Sequence, residues 1–354
     1  MSQRELTFAR AIHEALVQTM AADASVYVMG EGVPDPKGIF GTTLGLREKF
    51  GAERVLDMPV AENGMTGIAL GSALMGMRPV MTHQRIDFVL LAMDQIANNG
   101  AKWHYMFGGK HSVPLVIRLV IGRGWGQGPQ HSQSLQAWFA HVPGLKVVMP
   151  TTPYDAKGLL VAAIEDNNPV IFLEHRWLHN LFGAVPTELY RVPIGKARTV
   201  REGSDVTIVT TSYTTIEALR AAEILARDGI EVEVVDVRSL KPLDTEHILA
   251  SIRKTGRLIA ADGGWRSLGF AAEILALAAE SAYDKLQCSP QRVTFPDLPT
   301  PSSPAIANHY YPKIVNLVNV GRTMMGLPKA TEEELGIQRE TPLDIPDKSF
   351  TGPF

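Results

Sequence analysis

The sequence predicts an α/β protein made of two doubly wound domains. Short apolar runs of strand length alternate with helical patterns along almost the whole chain, the signature of mostly parallel sheets covered by helices. That alternation lapses between residues 192 and 204, where Pro193, Gly195 and Gly203 interrupt it, and then restarts. A length of 354 residues is enough for two cores of ordinary size. The expected division is a first domain over 1–195, a second over 196–326 and an extended tail over 327–354.

In order, the pattern predicts a helix over Leu6–Met20, then a buried strand over Ser25–Met29 that breaks at Gly30-Glu31-Gly32. A short helix over Leu44–Phe50, a strand over Arg54–Met58 and a glycine-rich helix opening at Glu62 follow. Next come a strand over Pro79–His83, one helix over Phe88–Met106, a strand over Val113–Leu119 and the loop Gly122–His131. Leu145–Met149, Pro153–Asp166 and Val170–Glu174 read as strand, helix and strand, and Trp177–Tyr190 as irregular. The second domain repeats the alternation from Val206 to Pro296 and ends in a helix over Tyr311–Met325. Beyond Pro328 the composition turns to Pro, Glu, Asp and Lys, which predicts a tail that lies on a neighbour or stays mobile.

Composition narrows the function. With 34 Lys and Arg against 37 Asp and Glu, the net charge of −3 gives no electrostatic case for nucleic acid or an anionic membrane surface. No apolar run approaches the length of a membrane span, and the amphipathic N-terminus has no signal-peptide core. Cys288 is the single cysteine, which excludes an internal disulfide and a cysteine metal cluster and fits a reducing cytoplasm. His83, His104 and His141 have no HxH or HxxxH partner, so a protein-ligated metal is not expected. There is no GxxxxGK[ST], no GxGxxG and no GxSxG, so if the chain binds a diphosphate cofactor the phosphate grip is expected from another chain, and a serine nucleophile has no support.

Leu56–Val80 is the stretch that carries chemistry. It sets Glu62 among apolar and small residues, ahead of a helix thinned by Gly64, Gly67, Gly71 and Gly76. Glycines weaken a helix by about 1 kcal/mol each, so their number points to something packed close to this backbone. Glu62 reads either as a proton-exchanging carboxyl or as a helix cap. His131, in QGPQHSQS, reads either as a proton carrier held at a strand end or as a surface histidine. Arg85 and Asp87 follow a strand and read either as an ion pair or as an anion site beside the Phe88 ring; Arg123 and Trp125 have the same choice in the glycine loop.

Taken together, PVAENG around Glu62, DFVLLAMDQIANNGAKWHYMFGG with Phe88, GPQHSQSLQAWFAHVPGLKVVMPTTPYDAKGLL, AIEDNNPVIFLEH, EVEVVDVRSLKPLD and KTGRLIAADGGW make the chain resemble a known family over roughly residues 4–325. That family is the β subunits of thiamine-diphosphate-dependent 2-oxoacid dehydrogenases, of the pyruvate and branched-chain type, split relatives of transketolase. The resemblance implies a pyrimidine-binding transketolase-like domain followed by a transketolase C-terminal domain. It further implies that Glu62 hydrogen-bonds the aminopyrimidine of thiamine diphosphate with Glu31 nearby, that Phe88 packs on that ring, and that His131 handles substrate protons or the transfer to a lipoyl group. Arg85, Asp87, Arg123 and Gln130 become candidate substrate residues. GDG followed by NN, which holds Mg and diphosphate in the family, is not in this chain; Asp262-Gly-Gly lies in the wrong domain. The resemblance therefore implies an α subunit that holds both, in an α2β2 heterotetramer acting on a 2-oxoacid, with a lipoyl acyltransferase core as a further partner. A structural potassium on the carbonyls of Leu115, Ala163, Ile164, Asp166 and Asn168 is also implied. Arg85, Asp87, GRGWGQG and the ending PDLPTPSSPAIANHYYP depart from the family pattern and keep open a split transketolase-like carboligase acting on sugar-like substrates.

Overall fold

The computed structural model describes residues 4–345 except Pro36, Trp125 and Glu340. It contains a seven-stranded sheet in the order Ser239–Lys241, Lys146–Val148, Val170–His175, Val116–Ile121, Arg78–His83, Val26–Gly30 and Val55–Leu56. All neighbours run parallel except Ser239–Lys241, which comes from the second half of the chain and adds antiparallel to Lys146–Val148. A second sheet has five strands in the order Gln291–Phe295, Leu258–Trp265, Val206–Thr210, Val232–Asp236 and Arg198–Arg201, the last antiparallel.

Because successive side chains on a strand point to opposite faces, each strand of the first sheet feeds two cores. Val26, Val28, Val80 and Val116 pack on one face against the helices Phe8–Ala22 and Pro153–Glu165. Tyr27, Met29, Met81 and Ile117 face the other way. That second core also takes in Val209, Val235, Leu240, Ile248 and Phe270, so one continuous apolar layer joins the two sheets. The helix ends are closed locally: Thr7 accepts from the Arg10 amide, Thr152 from that of Asp155 and Asp244 from that of His247. Gly256, at φ 68°, ends Thr245–Thr255 in the left-handed conformation that glycine adopts without strain.

Several expected elements change. Residues Arg4–Thr7 form a strand paired with Phe182–Val185, so the first helix starts at Phe8 and the stretch expected to be irregular holds a strand. The single helix expected over Phe88–Met106 is a tight turn at Phe88–Ala92, a π-helical segment at Asp94–Gly100 and an α-helix at Ala101–Met106. Sequence periodicity cannot distinguish these, because all three present apolar residues about every third or fourth position. The last helix is two, Pro304–Tyr310 and Ile314–Met324. The described part of the tail makes contacts with its own chain. Asn319 holds Ala330 through both backbone groups at 2.9 and 2.8 Å, and Leu343 packs with Ala307, Tyr310 and Tyr311. Its last residues, 346–354, lie outside the described part.

Candidate active site

The carboxyl ends of parallel strands are where doubly wound sheets gather ligands, and the sequence-selected residues collect there. Glu31 follows Val26–Gly30, Arg85 follows Arg78–His83, the loop to His131 follows Val116–Ile121, and these three strands are neighbours. Glu62 is the first residue of the helix Glu62–Leu74 and is 6% exposed. Its carboxylate meets no hydrogen-bond donor among the described residues, so the helix N-terminus is its main favourable neighbour. Burial raises the pKa of Glu31, and the nearby carboxylates of Glu62 and Asp57 raise it further; Glu31 Oε1 is buried without a partner.

Phe88 and His131 meet edge to face, with ring centroids 5.3 Å apart and planes at 87°. The turn carrying Phe88 packs on the Glu62 helix. Asp87 ties the two loops together: its Oδ1 accepts from the Gln133 side chain at 2.9 Å and from the Gln133 amide at 3.3 Å. Burial still leaves its carboxyl above the usual range, against the lowering effect of those bonds. Gln130 is exposed, and Trp125 lies outside the described residues.

Arg123 is held between aromatic rings and an acid. Its guanidinium lies 4.5 Å from the Trp177 ring centroid and 4.4 Å from that of Tyr311, and it bonds Glu217 at 3.2 Å. Loop, second domain and C-terminal region are clamped on this one cation. Four of the five carbonyls expected to hold potassium accept a protein hydrogen bond, which leaves a second lone pair on each carbonyl. Arg78 Nη1 donates to Ile164 O at 3.0 Å and Asp166 O at 3.1 Å, the Val170 amide to Leu115 O at 2.9 Å, and the Asp166 amide to Ala163 O at 3.3 Å. Asn168 turns its amides toward the Asp166 carboxylate, at 2.8 and 3.2 Å.

Sequence reasoning missed three features. Inside the sheet, Arg118 and Glu174, both 0% exposed, are joined by two bonds of 2.9 and 3.0 Å and capped by Thr42 and His179. At the strand ends, Gln127 Oε1 accepts from Arg85 Nη2 and, at 2.8 Å, from Arg176 Nη1. Close approach makes this corner depend on glycine: Gly122 has φ +109°, and a Cβ there would lie 2.6 Å from the His175 ring. Finally, Asp344, 2% exposed, accepts from the Gly126 amide at 3.0 Å, so the C-terminal segment fastens the loop that leads to His131. Charged residues inside or just past apolar strands were the signal for the first two features; nothing local marks Asp344.

A two-domain chain with an unpartnered acid at one strand end and a phenylalanine–histidine pair beside it matches what the comparisons find. Residues 4–180 match the transketolase pyrimidine-binding domain and 195–317 the transketolase C-terminal domain. The β subunit of acetoin:2,6-dichlorophenolindophenol oxidoreductase from Cupriavidus necator is 44% identical over 332 residues, covering 91% of this chain and 98% of that one. The chain belongs to this family of transketolase-like β subunits. The pyruvate dehydrogenase E1 β subunit of Rickettsia felis is 42% identical over 297 residues, 84% of this chain and 91% of its own. A split-gene transketolase solved as an inactive β4 tetramer shares the fold, with a TM-score of 0.74 at 22% identity, over 92% of this chain and 99% of that one. The names of the β subunit's relatives favour a dehydrogenase E1 component over the carboligase reading. Among the described residues no helix is long and apolar enough to cross a membrane, and no three metal-binding side chains converge.

Proposed function

We propose that the chain is the β half of a thiamine-diphosphate-dependent 2-oxoacid dehydrogenase E1 component, decarboxylating its substrate and passing the acyl group to a lipoyl partner. The observation that carries this reading is the buried carboxylate of Glu62, held at a helix start with no donor among the described residues and with the Phe88 turn packed on its helix. An acceptor left open in a water-poor place fits a ring nitrogen of the cofactor's pyrimidine, and an aromatic face beside it fits the ring itself. When bound, thiamine diphosphate supplies the carbon nucleophile and the electron sink that loss of carbon dioxide needs. The chain's own part is to accept a hydrogen bond at Glu62, to hold the ring on Phe88 and to move a proton at His131.

Without a carboxylate cluster suited to Mg among the described residues, magnesium and diphosphate are assigned to an α partner in an α2β2 assembly. The glycine face of the Glu62 helix supports such a partner. A Cβ at Gly64 or Gly71 would meet nothing within 4 Å, while Val60, Ile68, Met75 and Leu91 around it are exposed apolar side chains. The close packing expected at these glycines is therefore assigned to another chain. A cytoplasmic setting belongs to the same reading, supported by the lone Cys288. The test is carbon dioxide release by the complex co-purified with its α chain, given cofactor, Mg, lipoamide and a panel of oxoacids beside acetoin. Acyl-lipoamide formation from an oxoacid is expected; ketol transfer to an aldose without carbon dioxide release would overturn the reading.

A further inference from the structure

The second domain holds a cavity of about 900 Å³ that none of the candidate active-site residues lines. It lies between Gln291–Phe295, the edge strand of the five-stranded sheet, and the helix Ile314–Met324. That volume is in the range of small-ligand sites, about 300–1,000 Å³. Its charge is one-sided: Arg266, Arg292, His309 and Lys329 line it, and no Asp or Glu does among the described residues.

The bases are held in place without being neutralised. Arg292 Nη1 donates to the Arg266 carbonyl at 2.7 Å, which orients that guanidinium and leaves its charge unpaired. Asp297, on which both arginines act through space, is exposed and engaged by the Ser267 amide at 2.9 Å and the Ser267 hydroxyl at 2.6 Å. Lys329 is positioned by its neighbour Ala330, whose two backbone groups bond Asn319 on the cavity wall. Thr294 Oγ1, on the edge strand, is buried without a partner among the described residues. Val293, Val320 and Met324 add apolar wall. Tyr311 also lines the cavity, and its ring centroid lies 4.4 Å from the Arg123 guanidinium in the loop that leads to His131.

Like charges gathered in a cleft with low-dielectric walls focus a positive potential there, which a bound anion relieves. Two arginines and a lysine call for more than one negative charge. The donors also come from four segments of the chain, so the acceptor needs oxygens in several directions, which a phosphate has and a single planar carboxylate lacks. We propose that this cavity is a binding site for a phosphorylated small molecule carrying at least two negative charges. The inference goes beyond the E1 β reading and does not depend on it.

The test is calorimetric titration of the complex with its α partner, saturated with thiamine diphosphate and held at constant free Mg. The probes are ATP, inorganic tripolyphosphate and citrate. Wild type is compared with Arg292→Met, with Lys329→Glu and with Arg198→Met, a control on the exposed strand at the opposite edge of the same sheet. ATP and tripolyphosphate should bind wild type more tightly than citrate does. Loss of a hydrogen-bonded charge should weaken both about 10- to 100-fold in Arg292→Met. Reversal of an exposed charge should weaken them about 3- to 30-fold in Lys329→Glu, a substitution on the surface that leaves the fold intact should Arg292→Met unfold. Arg198→Met should bind as wild type. No binding of either phosphate probe, equal weakening in Arg198→Met and Lys329→Glu, or tighter binding of citrate than of tripolyphosphate would overturn the proposal.

Discussion

Two sets of buried charge lie within a few residues of each other on the seven-stranded sheet, and they are built in opposite ways. In the middle of the sheet Arg118 and Glu174 pair charge against charge, with Thr42 and His179 filling further positions and only Arg118 Nη1 of that guanidinium left without a partner among the described residues. Burial pushes the Glu174 carboxyl up, but Arg118 and His179 more than reverse this and leave it below the ordinary carboxylate range. At the strand ends Glu62 and Arg85 are buried and Glu31 is half-buried, each with open hydrogen-bonding capacity among the described residues. A protein neutralises charge where only the protein is present and leaves it open where a ligand completes it. Substitution should therefore separate the sets: the first should cost folding, the second function.

The largest effect is expected at the open set. Glu62→Ala should lower turnover of the assembled complex by as much as about 10⁴-fold, while its unfolding free energy holds or rises because repulsion of Glu31 is relieved. A large fall in stability with turnover intact would place Glu62 in the structural set instead. Next, Glu174→Gln should cost about 3–5 kcal/mol in denaturant unfolding, by leaving Arg118 buried against a neutral partner. A cost under about 1 kcal/mol, the level of an exposed pair, would erase the contrast between the two sets. His131→Ala should reduce turnover about 100-fold with little change in melting.

A third kind of buried charge sharpens the comparison. Asp236 is 0% exposed, and burial, with Asp155 adding to it, raises its pKa to about 7. The folded state thus holds a proton that the unfolded chain releases near pH 4, so stability should fall as pH rises from about 4 to 7, at up to about 1.4 kcal/mol per unit. Asp236→Asn should flatten that slope in urea titrations, leaving the smaller contribution of Asp262, whose burial raises it to about 6. The smallest effect concerns the tail. Asp344→Ala removes the acceptor of the Gly126 amide and should cost about 1 kcal/mol, together with faster hydrogen exchange in the loop that carries His131. An unchanged exchange rate there would show that the C-terminal segment does not fasten this loop.

By itself the sequence determined the alternation of strands and helices, and hence which loops meet at the carboxyl edge. Strand and helix periods are local properties of the chain, and Glu62, Phe88 and His131 stand at the ends of such periods where any ligand of a doubly wound sheet has to sit. It also carried the family, through long motifs in a fixed order. Tertiary structure alone decided which charges are closed and which are open. Arg85 and Arg123 look alike in sequence, yet one shares an amide oxygen with Arg176 and the other is enclosed by Trp177, Tyr311 and Glu217. The distinction comes from partners on distant segments of the chain, as does the fastening of Gly126 by Asp344. Whether a charge is neutralised depends on what lies within hydrogen-bond reach in space, and adjacency in sequence does not encode that reach.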